Sequence, residues 1–263
     1  MNTVANIKKH DSAHWYFQNG ESCYTLPKKS GSGLKVPTLA DARELQLIPS
    51  VTTILRILHK PALQDWLIEQ SVLAVLTTPR HPGEQDDAFI RRVLHDEKIQ
   101  DQEAKAAADR GTMIHDAIAS AVKGEQFDTR CLPYVEATLP ILKMLGKIQW
   151  TEKNLVGDGY AGRSDILLEN DINLILLDFK SAKTMPKYCS WPEHKLQTAA
   201  YAKTLGNVAD KHIITGNIYL STVEVGKVAY FLQEDWLRTY EEGFRPLVKY
   251  WQFSNDYIPG GKP

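Results

Sequence analysis

The segment GRSDILLENDINLILLDFKSAK, residues 162–183, concentrates groups that can do chemistry. Two apolar runs flank Asn170-Asp171-Ile172-Asn173, a turn-forming junction. A hairpin centred between Asp171 and Ile172 pairs Ile166 with Leu177 and sets Asp165 opposite Asp178. Such neighbours have Cβ atoms about 4.5–5.5 Å apart, and like charges there repel. Lys180, two residues beyond Asp178, projects from the same face. A hard divalent cation between the carboxylates relieves the repulsion, with Mg²⁺ the first candidate. Lys180 adds a positive group for a phosphate or a water. Burial lowers its pKa and the carboxylates raise it, and the sequence leaves that contest open. The triplet alone is not selective. Asp96–Lys98, Glu103–Lys105 and Glu193–Lys195 have the same acid-x-Lys spacing, but only Asp178–Lys180 ends a four-residue apolar strand and faces an opposed acid. A bland cross-strand polar pair is the competing reading. Glu152, on the preceding strand, is a candidate further acid, with a solvent-facing strand residue the more ordinary reading.

Two further stretches offer side chains to the same place. RGTMIHDAI reads as helix, where Gly111 costs about 1 kcal/mol relative to alanine and so suits a close approach by another backbone or a ligand. His115, one turn on, offers an imidazole; an ordinary packed histidine is the plain alternative. In HKLQTAAYAKTL, Gln197 and Tyr201 share a helix face and Ala199-Ala200 permit close packing. Taken alone, this reads better as an ordinary helix edge; the functional reading puts the amide and phenol near a phosphate or the attacking water.

The elements that must position these groups follow from pattern. HWYFQ and SCYTL read as β-prone runs around Asn19-Gly20, and the first fifty residues read as strands and turns. IPSVTTIL leads into a helix, and Pro61 opens another with Leu63, Trp66, Leu67, Leu73 and Ala74 at helical spacing. Helices are expected over 86–97, 101–123 and 132–145, then strands at 148–156, 160–169, 173–182, 212–221 and 227–232. Helices over 192–205 and 234–252 complete the pattern. The expectation is an α/β (α+β) fold with a leader over 1–48, a helical region over 49–146 carrying His115, and a core over 147–263, joined in one compact domain.

Composition narrows the classes. The chain has 263 residues, 43% hydrophobic and 24% charged, which is ordinary globular composition. Net charge is −1, so any nucleic-acid contact must come from a local patch. Residues 61–128 carry seven Lys/Arg against thirteen Asp/Glu, which reads as solvated helix faces. Cys23, Cys131 and Cys189 lie far apart with no CxxC, which excludes a zinc ribbon or four-cysteine iron–sulfur cluster and fits a reducing compartment. No apolar run spans a membrane and the N-terminus lacks a secretory core, so the expected address is cytoplasmic, or host cytoplasm if phage-encoded.

Taken in order, His115 in a GxxxH helix, Asp165 in GRSD, Asp178-Phe179-Lys180 and Gln197-x-x-x-Tyr201 resemble the motifs of the PD-(D/E)XK nuclease superfamily, RecB-like branch. IPSVTTIL, the Trp66 helix and the GxxxH helix resemble the mitochondrial genome maintenance and phage-type exonucleases. The resemblance covers roughly residues 49–232; the proline that often precedes the first motif acid is absent, Ser164 standing there. It implies a restriction-endonuclease-like core, a mixed sheet flanked by helices, with an N-terminal helical region. It implies Mg²⁺ or Mn²⁺ held by Asp165, Asp178, the Phe179 carbonyl and His115, and no iron–sulfur cluster. Lys180 orients a water or stabilises charge at phosphorus, and Gln197 and Tyr201 hold Lys180, the water or the substrate backbone. The implied activity is phosphodiester hydrolysis in DNA, from single-stranded ends, in recombination, repair or phage replication, with possible recombination or replication partner proteins. Phosphate contacts are expected from Arg163, Lys183, Lys187 and Lys195, and from Ser50, Thr52 and Thr53 at a helix start, where plain N-capping explains Ser50 or Thr52 equally well. Trp191 and Tyr188 are candidates to stack on bases, with core packing the more ordinary fate of one of them. The competing functions are a non-catalytic nucleic-acid-binding or assembly module on the same fold, and a structural α/β protein.

Overall fold

The computed structural model describes residues 14–29, 31–58, 61–95, 98–206, 208 and 210–260. Within the leader, Asn19-Gly20 reverses the chain at a positive φ of 86° at Gly20. That turn pairs β1 (Trp15–Tyr16) with β2 (Ser22–Cys23). Next come the small ribbon β3 (Leu26–Pro27) with β4 (Leu34–Lys35), the helix α1 (Leu39–Leu45), and β5 (Ile48–Pro49), which pairs with β1. Helix α1 departs from the strands and turns expected of the leader. Its signal is the capping box Thr38-x-x-Asp41, in which each side chain satisfies the other's backbone N–H.

The helical region holds α2 (Val51–Leu55), α3 (Pro61–Thr77), α4 (Asp86–His95), α5 (Lys98–Lys123) and α6 (Leu132–Leu145). The last two residues of the helix expected over 86–97 lie outside the described residues, as do residues 1–13 of the leader and the side chains of Leu63, Trp66 and Leu67. Helix α5 starts three residues before its expected boundary.

The central sheet contains β6 (Lys147–Gly157), β7 (Tyr160–Glu169), β8 (Asn173–Ala182), then, after the helix α7 (Pro192–Lys203), β9 (His212–Ser221) and β10 (Val228–Gln233). The spatial order is β10-β9-β8-β7-β6. Strands β8 and β9 are parallel, which requires the α7 crossover, and the other pairs are antiparallel. The fold is therefore mixed α/β. The expected C-terminal helix is present as α8 (Trp236–Arg238), a π-helical stretch over Thr239–Phe244 and α9 (Arg245–Ser254).

Alternation along the strands divides the core. Ile166, Leu168, Ile175, Leu177 and Phe179 pack on Ile114 and Ile118 of α5 and Leu142 of α6. Leu167, Leu174 and Leu176 pack with Ala199, Ala200 and Tyr201 of α7 and with Phe244 and Trp251, and Trp15, Cys23 and Leu47 of the leader share that core. Among the described residues, no helix is long and apolar enough to cross a membrane.

Candidate active site

The hairpin geometry begins at Asn170, whose Oδ1 accepts from the backbone N–H groups of Ile172 (3.2 Å) and Asn173 (2.9 Å). That turn fixes the β7–β8 register from Glu169–Leu174 to Ile166–Leu177. The next pair in sequence is Asp165 with Asp178. Here the ladder ends, the strands part, and Asp165 Oδ2 accepts the Phe179 backbone N–H at 2.6 Å. Both acids are buried. Lys180 Nζ lies 2.6 Å from Asp178 Oδ2, an ion pair whose alignment leaves that oxygen without a hydrogen-bond donor.

Helix α7 closes one side of this fork. Gln197 Oε1 accepts from Lys180 Nζ at 2.9 Å, and Gln197 Nε2 donates to Asp178 Oδ1 (3.2 Å) and to the Tyr201 hydroxyl (3.0 Å). The close packing has two causes: Ala199 and Ala200 present almost no side chain, and Gly162 leaves room for the Tyr201 ring. A Cβ at Gly162 would stand 2.5 Å from Tyr201 Cε1. Tyr201 is buried and bonds Gln197, which in turn holds Lys180, the first of the roles its motif implies.

Helix α5 covers the other side. A Cβ at Gly111 would meet Ser181 Oγ at 2.8 Å, so the glycine permits the close approach of α5 to β8. One turn on, His115 Nδ1 lies 3.7 Å from Asp165 Oδ2, and its ring stands edge-on to Phe179 at 5.7 Å. His115 Nε2 is buried and has no hydrogen-bond partner among the described residues.

Electrostatics separates the groups. Burial, then the Lys180 and Arg163 cations, pulls the His115 pKa down to about 3, so its imidazole is neutral at pH 7. Burial first, then the Asp178 charge, pushes the Asp165 carboxyl well above the usual range, against the opposing Phe179 N–H bond. For Lys180 burial pulls down, but Asp178 and Asp165 outweigh it, and the ammonium is held above its ordinary value. The contest that the sequence left open goes to the carboxylates.

Glu152 corrects the reading of a solvent-facing strand residue. Its side chain is 18% exposed, and Oε2 lies 2.8 Å from Arg163 Nε. Residue 152 has φ of 53° inside β6, and the β6–β7 register on both sides, Thr151–Ile166 and Lys153–Ser164, places it across from Asp165. Burial pushes its carboxyl up. A signal was present: Asp158-Gly159 is a strong hairpin dipeptide, and counting back from it brings Glu152 opposite Asp165.

The expected phosphate contacts divide. Ser50 caps α2, accepting from the Thr53 backbone N–H at 2.9 Å, and Thr53 Oγ1 accepts from the His14 backbone N–H at 3.0 Å. Both hydroxyls are buried in the start of the helix, which corrects their assignment as phosphate ligands; Thr52 is exposed. Arg163 is tied to Glu152 with its side chain 46% exposed. Lys183, Lys187 and Tyr188 are exposed on the loop after β8, and Lys195 is half-buried in α7. Trp191 packs edge-on against Tyr219 at 5.5 Å, so its ring is partly spent on the core.

Among the described residues, no group of three or more His, Cys, Asp and Glu side chains is arranged to hold a metal ion. Lys180 engages Asp178, the Phe179 N–H engages Asp165 and Arg163 engages Glu152. The donor chemistry nevertheless fits a divalent ion: crowded buried carboxylates, a neutral imidazole and an unpartnered Nε2.

No family model matches the chain. No curated protein matches it. A solved structure described as the crystal structure of SSO0001 is similar at a TM-score of 0.36 and 14% identity, over 74% of this chain and 88% of that one, a likeness too slight to carry any argument.

Proposed function

We propose that this chain is a metal-dependent deoxyribonuclease with a restriction-endonuclease-like core of the PD-(D/E)XK type, hydrolysing phosphodiester bonds as an exonuclease on single-stranded ends. One observation carries the reading: the fork between β7 and β8 gathers Asp165, Asp178, Lys180 and Gln197 into one buried network, with His115 beside Asp165. Asp165, Asp178, the Phe179 carbonyl and His115 would hold Mg²⁺ or Mn²⁺, with Glu152 a further acid beside them. Such an ion, when bound, polarises a phosphate oxygen and lowers the pKa of a water. Lys180, kept charged by its acidic neighbours, supplies the positive group for charge developing at phosphorus. Gln197 bonds both Lys180 and Asp178, and Tyr201 holds Gln197. Lys183 and Lys187 offer sequence-blind phosphate contacts beside the network, with Tyr188 and Trp191 as stacking surfaces. The roles in recombination, repair or phage replication, a cytoplasmic address and partner proteins belong to the same proposal.

The test is degradation of circular and end-labelled linear strands with Mg²⁺ or Mn²⁺, comparing the parent with Asp178→Ala and Lys180→Ala. The parent is expected to degrade linear strands only, and both variants to lose activity while folded. Unchanged cutting by both variants removes the mechanism. A second reading, a non-catalytic nucleic-acid-binding module on the same fold, is favoured by one observation: Lys180 and Arg163 are already spent on the site's own acids. Strand binding with no cleavage at any metal concentration decides for it.

A further inference from the structure

Asn217 sits in β9, where the parallel register places it directly beside Asp178. Registered neighbours on adjacent strands project from one face, about 5 Å apart. The next pair along, Lys180 with Tyr219, lies on that face too. Asn217 is 1% exposed, and neither its Nδ2 nor its Oδ1 has a hydrogen-bond partner among the described residues. A buried amide left this way is destabilising, while an apolar side chain of similar size at the same place is neutral or stabilising. The network around it is differently occupied. Gln197 uses both amide ends, on Lys180, Asp178 and Tyr201, and the Asp178 carboxylate has Lys180 on one oxygen and Gln197 on the other.

We infer that Asn217 is a positioning residue for Asp178, an amide held in reserve to take the Asp178 carboxylate when Lys180 leaves it for a phosphate. This rests on the nuclease reading of the site. While Lys180 stays on Asp178, the Asn217 amide is idle; once Lys180 turns outward, Asp178 Oδ2 loses its counter-charge. The Nδ2–H donor in the neighbouring register then keeps the carboxylate aimed.

The experiment uses the full chain and three variants. Mn²⁺ binding is followed by calorimetry, unfolding by Tm, and strand cleavage by kcat and KM. Asn217→Leu is expected to raise Tm by about 2–6 °C, since it removes a buried unpartnered amide. It is expected at the same time to weaken Mn²⁺ binding about tenfold or more, as loss of an outer partner of a ligand does. Its kcat falls with KM unchanged. Asn217→Thr, which keeps a donor on a side chain suited to a strand, is expected to hold Mn²⁺ within about threefold of the parent, a weaker form of the same outer-partner contact. Asn217→Ala reports the loss without added apolar bulk and should match leucine in Mn²⁺ binding. A leucine variant of lower Tm, or one that binds Mn²⁺ like the parent, overturns the inference alone. A parent chain that binds no Mn²⁺ and cuts no strand overturns the nuclease reading beneath it.

Discussion

The two helices that flank the acid fork treat it differently. On the α7 side the helix spends its polar side chain fully: Gln197 bridges Lys180, Asp178 and Tyr201 within 2.9–3.2 Å, and Asn217 of β9 is left idle beside them. On the α5 side His115 stands 3.7 Å from Asp165, with its second nitrogen unpartnered. Both helices come close through small residues, Ala199 and Ala200 on one and Gly111 on the other. Close packing alone therefore does not make a closed network. The bonded helix fixes geometry, and the helix with an unpartnered nitrogen is where a ligand has an atom left to meet.

That contrast is open to attack from either side. The largest effect is expected from Lys180→Ala, which empties the centre of the closed side; single-turnover kcat should fall about 10²–10³-fold with circular dichroism unchanged. Gly111→Ala pushes a methyl against Ser181 Oγ and should cost about 1–3 kcal/mol in urea unfolding, together with activity, as α5 shifts. Adding Ser181→Ala removes the obstructing oxygen. The double variant should recover most of the loss, which a double-mutant cycle measures.

The open side has a pH signature. The folded His115 pKa is about 3 against an unfolded value near 6.5, so between those values the unfolded chain binds the extra proton. Stability from this group is present above pH 6.5 and is lost as pH falls from about 6.5 towards 3. Asp165, raised on folding, runs the other way and loses its contribution as pH rises through its folded pKa. Subtracting the pH–stability curve of His115→Gln from that of the parent isolates the histidine, and a flat difference denies that it is buried neutral. The smallest effect is expected from Tyr201→Phe. It removes one acceptor from Gln197, costs about 1 kcal/mol, and should slow cleavage about fivefold without moving KM.

Much of this was legible in the sequence because turn chemistry sets strand register. Asn170 fixes the β7–β8 hairpin through two local hydrogen bonds, so the Ile166–Leu177 pairing follows from counting outward. Gly111 likewise announced a close approach, though not that Ser181 was its neighbour. Three features were legible only in part, for physical reasons. The place of Glu152 across from Asp165 follows from counting back from Asp158-Gly159, but its positive φ and the partial burial of its strand do not. Ser50 caps α2, the alternative that its position already offered, while Thr53 spends its hydroxyl on the His14 backbone, a contact distant in sequence. Asn217 is a polar residue in an apolar strand, and only the parallel crossover through α7, a contact distant in sequence, brings it beside Asp178.

The most direct test of the central claim is a crystal structure after a Mn²⁺ soak, read by anomalous scattering. The account predicts a peak touching both Asp165 and Asp178 with His115 alongside, and Lys180 displaced from Asp178. No peak there, or a peak only among Asp109, Asp116 and Asp128 in the cavity of about 370 Å³ beside α5, would contradict it.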